Sequence, residues 1–373
     1  MTLQEEIDKE SKAIQTDSYP ISIGELISMY NEGELYIHPE FQRFVRWEIP
    51  QKSKFIESIL LGIPIPPIFV SQGANGVWDV IDGLQRLATI FGFVGCLKDT
   101  NKKKIPALEL TETEYLPALK GKFWMGTTEA NSFTDAQRLY IKRAKINVQI
   151  VKKESDPNIK FELFQRINTL GSKLSDQELR NCIFIMKDKE LYDWLTKLAK
   201  YPSFRNCIDL GEKDKEIKYD EEIAVRFFVI KNANLNDIKK AGNFSEFINN
   251  FILKKWWKNP AFPLEEEERI FKKTFDLLNE TLKENSFKKY NLSKGRFEGR
   301  FLVSSYEGIS AGLAKNIDLW NITDSNKENV KLKLKSRVAE MWQSPVFKSK
   351  TGVGKKFNER IPAVVQLGAD LFR

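Results

Sequence analysis

The sequence has 373 residues, of which 42% are hydrophobic and 29% are charged, and this composition excludes an intrinsically disordered chain. Its formal net charge of +8 favours polyanions such as nucleic acid or nucleotides as partners. The single histidine, His38, argues against metal nucleases, zinc hydrolases and histidine-based catalytic triads, which need one or more histidines placed in the site, and its segment Ile37-His38-Pro39 favours a structural role. We expect neither a signal peptide nor a membrane span, and the three separated cysteines predict a reduced, cytoplasmic protein.

The first 200 residues combine helix and strand signals. In chain order, these signals first predict a helix from Ser22 to Gly33, a strand at 35–37, a helix from Pro50 to Gly62, strands at 68–70 and 77–81, and a helix after Gly83. They then predict a strand at 105–110, a helix from Thr134 and a strand at 146–151. Two further helices are predicted to start at Asp156 and Ser175. Glycines at 73 and 76 predict a hairpin-like turn between the strands at 68–70 and 77–81.

Beyond Tyr201 the strand signals fade. Helical periodicity covers 220–231, 244–257, 264–282, 301–314 and 326–342, with a loop predicted at 348–356 and a closing segment at 360–372. We therefore predict an α+β fold with two domains: residues 1–200 with mixed structure and residues 201–373 mainly α-helical.

The stretch from Val77 to Phe91 runs from a buried strand through Asp82 and Gly83 into an amphipathic helix. A strand that enters a helix through a glycine exposes backbone N–H groups to an anion, and Gly83 has no Cβ to block the approach. Arg86, one turn inside the helix, can add a charge-assisted contact to a phosphate. The alternative is an ordinary junction in which Asp82 caps the helix and Arg86 is solvated.

Two other segments could join this site. One holds Gln42, Arg43 and Arg46, and the other holds Arg166 and Asn168 at the end of a predicted helix. Arginines, amides, a carboxylate and a glycine turn are the groups that a site for a nucleoside triphosphate and Mg²⁺ requires. Each segment alone is a weak signal, because an arginine on a helix is usually solvated.

Four ordered motifs, at 40–47, 54–67, 82–86 and 164–174, resemble the GmrSD-type N-terminal domain family. The helical remainder, including 220–228, is similar to such proteins but less distinctive. The resemblance implies a ParB/sulfiredoxin-like fold and NTP binding, with NTP hydrolysis in members that restrict modified phage DNA.

The resemblance also implies roles for single residues. Asp82, Gln85 and Arg86 match the family motif and are the implied catalytic residues, and the implied nucleotide-binding residues are Gln42, Arg43, Gly83, Arg166 and Asn168. Leu84 departs from the motif, which has glutamine there. Either the leucine impairs hydrolysis while binding survives, or position 84 faces the core and the leucine is harmless. No residue is assigned as a metal ligand.

The C-terminal half carries clusters of basic residues that suit contacts with DNA phosphates. We predict DNA contacts for one of these clusters, which contains Lys348, Lys350, Lys355, Lys356 and Arg360. The alternative for such a cluster is a solvated surface. The adjacent Trp256 and Trp257 are predicted to lie in the core or an interface.

The leading hypothesis is an NTP-binding and NTP-hydrolysing sensor subunit of a bacterial antiphage restriction system. Relatives often carry an HNH-type nuclease domain, but a single histidine cannot build that nuclease within these 373 residues. The expected partners are therefore DNA and a separate HNH-type nuclease subunit, and the chain could also form a homo-oligomer. The alternatives are a non-enzymatic DNA-binding or adaptor module that retains the fold, and a DNA nickase with Asp82 in its site.

Overall fold

The computed structural model divides the chain into two compact units, Met1–Leu174 and Ser175–Arg373. This division falls before the predicted domain boundary at residue 200. The residues that the structure describes are 2–11, 15–37, 47–73, 75–99, 102–152, 176–177, 180–181, 184, 188–211, 214, 218–256, 262–321, 323, 325–352 and 354–373.

The N-terminal unit is built on a mixed five-stranded sheet with the order β1-β5-β3-β4-β2. Its strands are β1 Thr16–Ser22, β2 Leu35–Tyr36, β3 Ile68–Gln72, β4 Trp78–Asp82 and β5 Lys145–Val151. The pairs β1–β5 and β3–β4 are antiparallel, whereas β3–β5 and β2–β4 are parallel. The predicted turn between β3 and β4 is confirmed, since the N–H of Gly76 donates to the carbonyl oxygen of Gly73 at 3.0 Å.

Capping residues in the sequence explain where several helices of this unit begin and end. They are α1 Leu3–Ser11, α2 Ile23–Glu32, α3 Ile49–Leu60, α4 Leu84–Val94 and α5 Asp135–Arg143. Ser22 caps α2 by accepting from the N–H of Glu25, and Gly33 ends α2 with a φ of +80°. Thr134 caps α5 in a capping box with Gln137. Apolar faces of α2, α3 and α4 cover the sheet and form the core of the unit.

The strand predicted at 105–110 is wrong. Pro106 cannot donate to a ladder, and the N–H groups of Leu108 and Leu110 bond to the carbonyl oxygens of Gly92 and Lys122 instead. This segment is therefore tied to neighbouring loops and to the end of α4.

The C-terminal unit is mainly helical. Its described helices are α6 Lys189–Ala199, α7 Pro202–Ile208, α8 Tyr219–Asn232, α9 Leu235–Lys240, α10 Phe244–Phe251, α11 Leu264–Thr281, α12 Val303–Lys315, α13 Lys327–Gln343, α14 Pro345–Lys350 and α15 Phe357–Leu371. A small antiparallel hairpin of β6 Lys289–Asn291 and β7 Arg296–Glu298 interrupts them. Because α14 ends at Lys350, the predicted loop at 348–356 is wrong for its first three residues.

Helices α12 and α15 approach closely because small residues face each other. A Cβ on Gly312 would lie 2.4 Å from the carbonyl carbon of Gly368, and a Cβ on Gly368 would lie 2.1 Å from the carbonyl oxygen of Gly308. The core beneath them is rich in phenylalanine, including the fully buried Phe227 and Phe271.

The predicted α+β class is confirmed, with the main sheet in the N-terminal unit and helices predominating in the other. The assignment to a ParB/sulfiredoxin-like fold stays a prediction. Among the residues described, no helix is both long and apolar enough to span a membrane.

Candidate functional site

The turn between β4 and α4 depends on a glycine. Strand β4 ends at Asp82, helix α4 begins at Leu84, and Gly83 stands between them with a φ of +100°, a conformation that only glycine adopts easily. A Cβ at Gly83 would lie 2.8 Å from Cγ1 of Ile68, the first residue of β3. Glycine is therefore required both for the backbone conformation and for the close packing on β3.

The side chain of Arg86 reaches back across this turn. Its Nη2 donates to Oδ2 of Asp82 at 2.6 Å, and its Nη1 donates to the carbonyl oxygen of Pro66 at 2.9 Å. The exposed fraction is 11% for the Arg86 side chain and 31% for that of Asp82. The alternative in which Asp82 caps the helix and Arg86 is solvated is therefore wrong. The N-cap residue is Gly83, so no side chain caps the helix, and the carboxylate of Asp82 binds the guanidinium of Arg86 instead.

Gln85 links the turn to a second predicted motif. Its Oε1 accepts from the backbone N–H of Trp47 at 3.3 Å, and Trp47 follows Arg43 by four residues in the sequence. The structure therefore brings Trp47, the last residue of the motif at 40–47, to the turn. The predicted ligands Gln42, Arg43, Arg166 and Asn168 lie outside the described residues, so their roles stay predictions.

Leu84, the departure from the family motif, is half-buried and packs against the core of the N-terminal unit. This packing supports the alternative in which position 84 serves the core.

The part of the chain that the structure describes contains no group of three or more His, Cys, Asp or Glu side chains able to hold a metal ion. Mg²⁺ is usually bound through one or two carboxylates together with substrate phosphates, so a complete protein cage is not required. The partly exposed carboxylate of Asp82 fits that pattern as a single protein ligand.

The site residues predicted from the sequence do not include Pro66, Trp47 or Ile68. Pro66 lies within the motif at 54–67, for which no contact with the site was predicted. A signal was nevertheless present, because carbonyl groups of a proline-rich segment that joins no ladder must bond to side chains or water. The carbonyl of Pro66 is the one that binds Arg86.

Residues 23–185 match the family described as GmrSD restriction endonuclease, N-terminal domain. This part of the chain is similar to the GmrSD N-terminal domain. The resemblance carried by the four motifs is thereby confirmed, and the matched range includes every predicted nucleotide-binding and catalytic residue. The match relates the protein to restriction systems. No curated protein matches the chain.

The predicted DNA-contact residues in the C-terminal unit have different surroundings. Lys348, Lys355 and Lys356 are exposed, whereas Lys350 is less exposed and its Nζ lies 3.1 Å from Oε2 of Glu359. The three exposed lysines therefore present their charge to solvent.

Arg360 is the exception in this cluster. Its Nε and Nη2 donate to both carboxylate oxygens of Glu307 at 2.8 and 3.0 Å, and the Glu307 side chain is fully buried. This pairing favours a structural role for Arg360.

The Glu307–Arg360 pair ends a chain of alternating charges inside the helical unit. The chain runs through Arg180, Glu222, Arg226, Glu307 and Arg360. Burial lowers the pKa of the Arg180 guanidinium to about 10, although Glu222 favours its charged form. Arginine remains charged near neutral pH at such a value, so the alternation of charges is maintained.

We predict that Gly83→Ala lowers the free energy of unfolding of the N-terminal unit by about 3 kcal/mol, since it combines backbone strain with overpacking against Ile68. Gly76→Ala is the matched control. Gly76 has a φ of +83° but nothing within 4 Å of its added Cβ, so only the backbone cost of about 1 kcal/mol remains. Urea unfolding followed by circular dichroism measures both. Equal losses for the two variants would contradict the close packing of Gly83.

We predict that Arg360→Met destabilises the helical unit by about 3 kcal/mol, because buried Glu307 would lose its bidentate partner. Lys350→Met, which breaks an exposed pair in the same cluster, should cost less than about 1 kcal/mol. Thermal and urea unfolding measure the difference. A stable Arg360→Met variant whose affinity for DNA falls would show instead that the arginine contacts DNA.

Proposed function

We propose that the protein binds a nucleoside triphosphate with Mg²⁺ at the N-terminus of α4 and hydrolyses it, as the sensor subunit of a system that restricts modified phage DNA. DNA cleavage would then require a separate HNH-type nuclease subunit. The observation that carries the proposal is the helix N-terminus at Gly83, which has no side-chain cap and has Arg86 fixed beside it.

The chemistry of this turn suits a phosphate chain. The first N–H groups of a helix and the positive end of its dipole favour an anion. A guanidinium has five N–H donors, and the bonds of Arg86 to Asp82 and Pro66 use two of them. Because these bonds hold the guanidinium in place before a ligand arrives, little side-chain entropy is lost when a phosphate accepts from another donor.

Asp82 supports a requirement for Mg²⁺ in the proposal. A phosphate at this helix N-terminus would meet the negative charge of Asp82, and a divalent cation shared by the carboxylate and the phosphates would remove that repulsion. The cation would also neutralise charge that develops during phosphoryl transfer.

Gln85 is the proposed residue for orienting the attacking water. The distance of 3.3 Å between its Oε1 and the Trp47 nitrogen is at the long end for an N–H···O bond, so a water molecule can compete for this oxygen. The same bond offers a route by which nucleotide binding could alter the segment that ends at Trp47.

The second candidate is a non-enzymatic DNA-binding or adaptor module. It is favoured by the exposed lysines Lys348, Lys355 and Lys356, which suit contacts with DNA phosphates. In that case DNA affinity should fall steeply with salt concentration and should not change with nucleotide or with the substitution Arg86→Ala.

The test is equilibrium binding of ATP, GTP, CTP and UTP with Mg²⁺, followed by phosphate release. We expect Arg86→Ala to weaken binding of the preferred nucleotide about tenfold or more, because it removes a charge-assisted contact. Arg138→Ala is the matched control. Arg138 also bonds to a carboxylate and to backbone carbonyls of the same unit, but on helix α5.

No binding of any NTP by the wild type, or equal binding by Arg86→Ala and the wild type, would contradict the proposal. The variant Leu84→Gln tests the hydrolysis step in the same assay. Because Leu84 packs against the core, we expect Leu84→Gln to release phosphate no faster than the wild type. A wild type that binds NTP without hydrolysis, together with a Leu84→Gln variant that hydrolyses it, would support the binding module instead.

A further inference from the structure

An apolar groove of about 630 Å³ opens on the N-terminal unit between the end of α3, the segment that follows it, and helix α5. We call it the α3–α5 groove. Its border carries three exposed apolar side chains, Ile63, Leu139 and Tyr140, and buried Ile59 also lines it. The described lining includes none of the predicted catalytic or nucleotide-binding residues, so the groove is separate from the turn at Gly83.

The border of the α3–α5 groove is positively charged. The charged residues among its described lining are Arg143 and Lys145, and both are exposed. Exposed Lys142 precedes them, and helix α2, which packs beside α5, contributes the exposed carboxylate of Glu25. Three cations therefore stand against one exposed carboxylate on this side of the groove.

Two other carboxylates near the groove in the sequence are already bound. Asp135, at the start of α5, pairs with Arg138. Glu57, near the end of α3, is buried, and its Oε1 accepts from two backbone N–H groups at 3.0 and 2.9 Å. Neither carboxylate cancels the positive charge at the border of the groove.

Helix α1 of the same unit has the complementary pattern. Its sequence contains four carboxylates and one lysine. Leu3 and Ile7 are four residues apart, so they lie on one face of the helix. The exposed fraction is 73% for Leu3 and 48% for Ile7, which leaves an apolar pair open to solvent on an acidic helix.

The nine residues of α1 form a helix that is short for independent stability. Isolated helices below about 12–15 residues are marginal in water and usually depend on packing of an apolar face. Thr2 supplies a local cap, since its Oγ1 accepts from the N–H of Glu5 and its own N–H donates to Oε2 of Glu5 at 2.7 Å. This cap buries no apolar surface, so a surface that covers Leu3 and Ile7 would stabilise the helix further.

We propose that α1 of one chain docks into the α3–α5 groove of a second copy of the chain. Leu3 and Ile7 pack on the apolar border of that groove, and the carboxylates of α1 face its cations. Because each copy carries both the helix and the groove, the exchange is reciprocal and closes a dimer with two-fold symmetry.

The groove of the same chain is less accessible to α1. Ser22, at the end of β1, pairs with Lys145 beside the groove, whereas Thr16, at the start of β1, pairs with Val151. At a rise of about 3.3 Å per residue, Thr16 lies about 20 Å from the groove end of the strand. The four residues between α1 and β1 allow a span of at most about 18 Å, so α1 would need a nearly straight linker to return. A second copy imposes no such path.

The experiment is sedimentation equilibrium of the full chain over a range of protein concentrations, without nucleotide. We expect the mass to rise reversibly from 43.3 kDa, the mass of one chain, to twice that value. Ile7→Ser in α1 and Leu139→Ser in the groove should each weaken the association about tenfold or more, because each removes apolar contact area. Met125→Ser replaces an exposed apolar side chain outside the groove and should have no effect.

Salt tests the electrostatic part of the proposal. The opposite charges of α1 and the groove attract each other less as ionic strength rises, so the wild-type dimer should dissociate more readily at higher salt. Arg143→Glu should weaken the association at low salt, since it places a carboxylate opposite those of α1. An association that strengthens with salt and does not respond to Arg143→Glu would contradict this charge pairing.

Mixing the variants tests whether the exchange is between chains. Ile7→Ser chains keep an intact groove and Leu139→Ser chains keep an intact α1, so a mixed dimer regains one of its two docking contacts. We expect a labelled Ile7→Ser chain to associate more tightly with Leu139→Ser than with itself. A mixture that associates no better than either variant alone would overturn the proposal, because docking of α1 within its own chain gives no complementation.

The substituted side chains are exposed, so the variants should fold, and urea unfolding checks this. A wild type that stays monomeric, or variants that dimerise like the wild type, would also overturn the inference. It does not rest on the proposed NTP site, which other residues form. Arg86→Ala should therefore dimerise like the wild type.

Discussion

The candidate site depends on the bonds that Arg86 makes to Asp82 and to the carbonyl of Pro66. These bonds join the end of strand β4, the first turn of α4 and the proline-rich segment before β3. They act together with the close packing of Gly83 on Ile68 and the burial of the apolar face of α4 to hold the helix N-terminus in place. The same bonds fix a guanidinium beside uncapped helix N–H groups, so one interaction serves both the fold and the proposed chemistry.

Much of the N-terminal fold could be predicted because its signals are local. Ser22 and Thr134 cap helices, Gly33 and Gly83 stand at helix ends, and each acts through neighbours within a few residues. Strand β1 was missed because it carries Pro20 and is mostly exposed, so it shows no alternation of apolar residues. The strand order β1-β5-β3-β4-β2 could not be predicted either, since pairing distant strands leaves no local pattern.

The site itself could be predicted in part. The sequence identifies Asp82, Gly83 and Arg86 as a unit, but the partner carbonyl of Pro66 is 20 residues from Arg86 and only the fold reveals it. Arg360 is a residue whose surroundings the sequence did not reveal. Its position among lysines indicated a DNA contact, yet the buried carboxylate of Glu307, 53 residues away, binds it. A cluster of basic residues in the sequence therefore predicts an exposed basic surface only if none of its members pairs with a buried carboxylate.

Hydrogen–deuterium exchange of the full chain, with and without Mg²⁺ and the preferred NTP, is the most direct measurement of the central claim. If the nucleotide sits at the N-terminus of α4, the amides of residues 83–86 must exchange more slowly in its presence, because N–H groups of this turn bind phosphate. Peptides from the Gly73–Gly76 turn serve as an internal reference. Unchanged exchange at 83–86, while the nucleotide protects another part of the chain, would contradict the account.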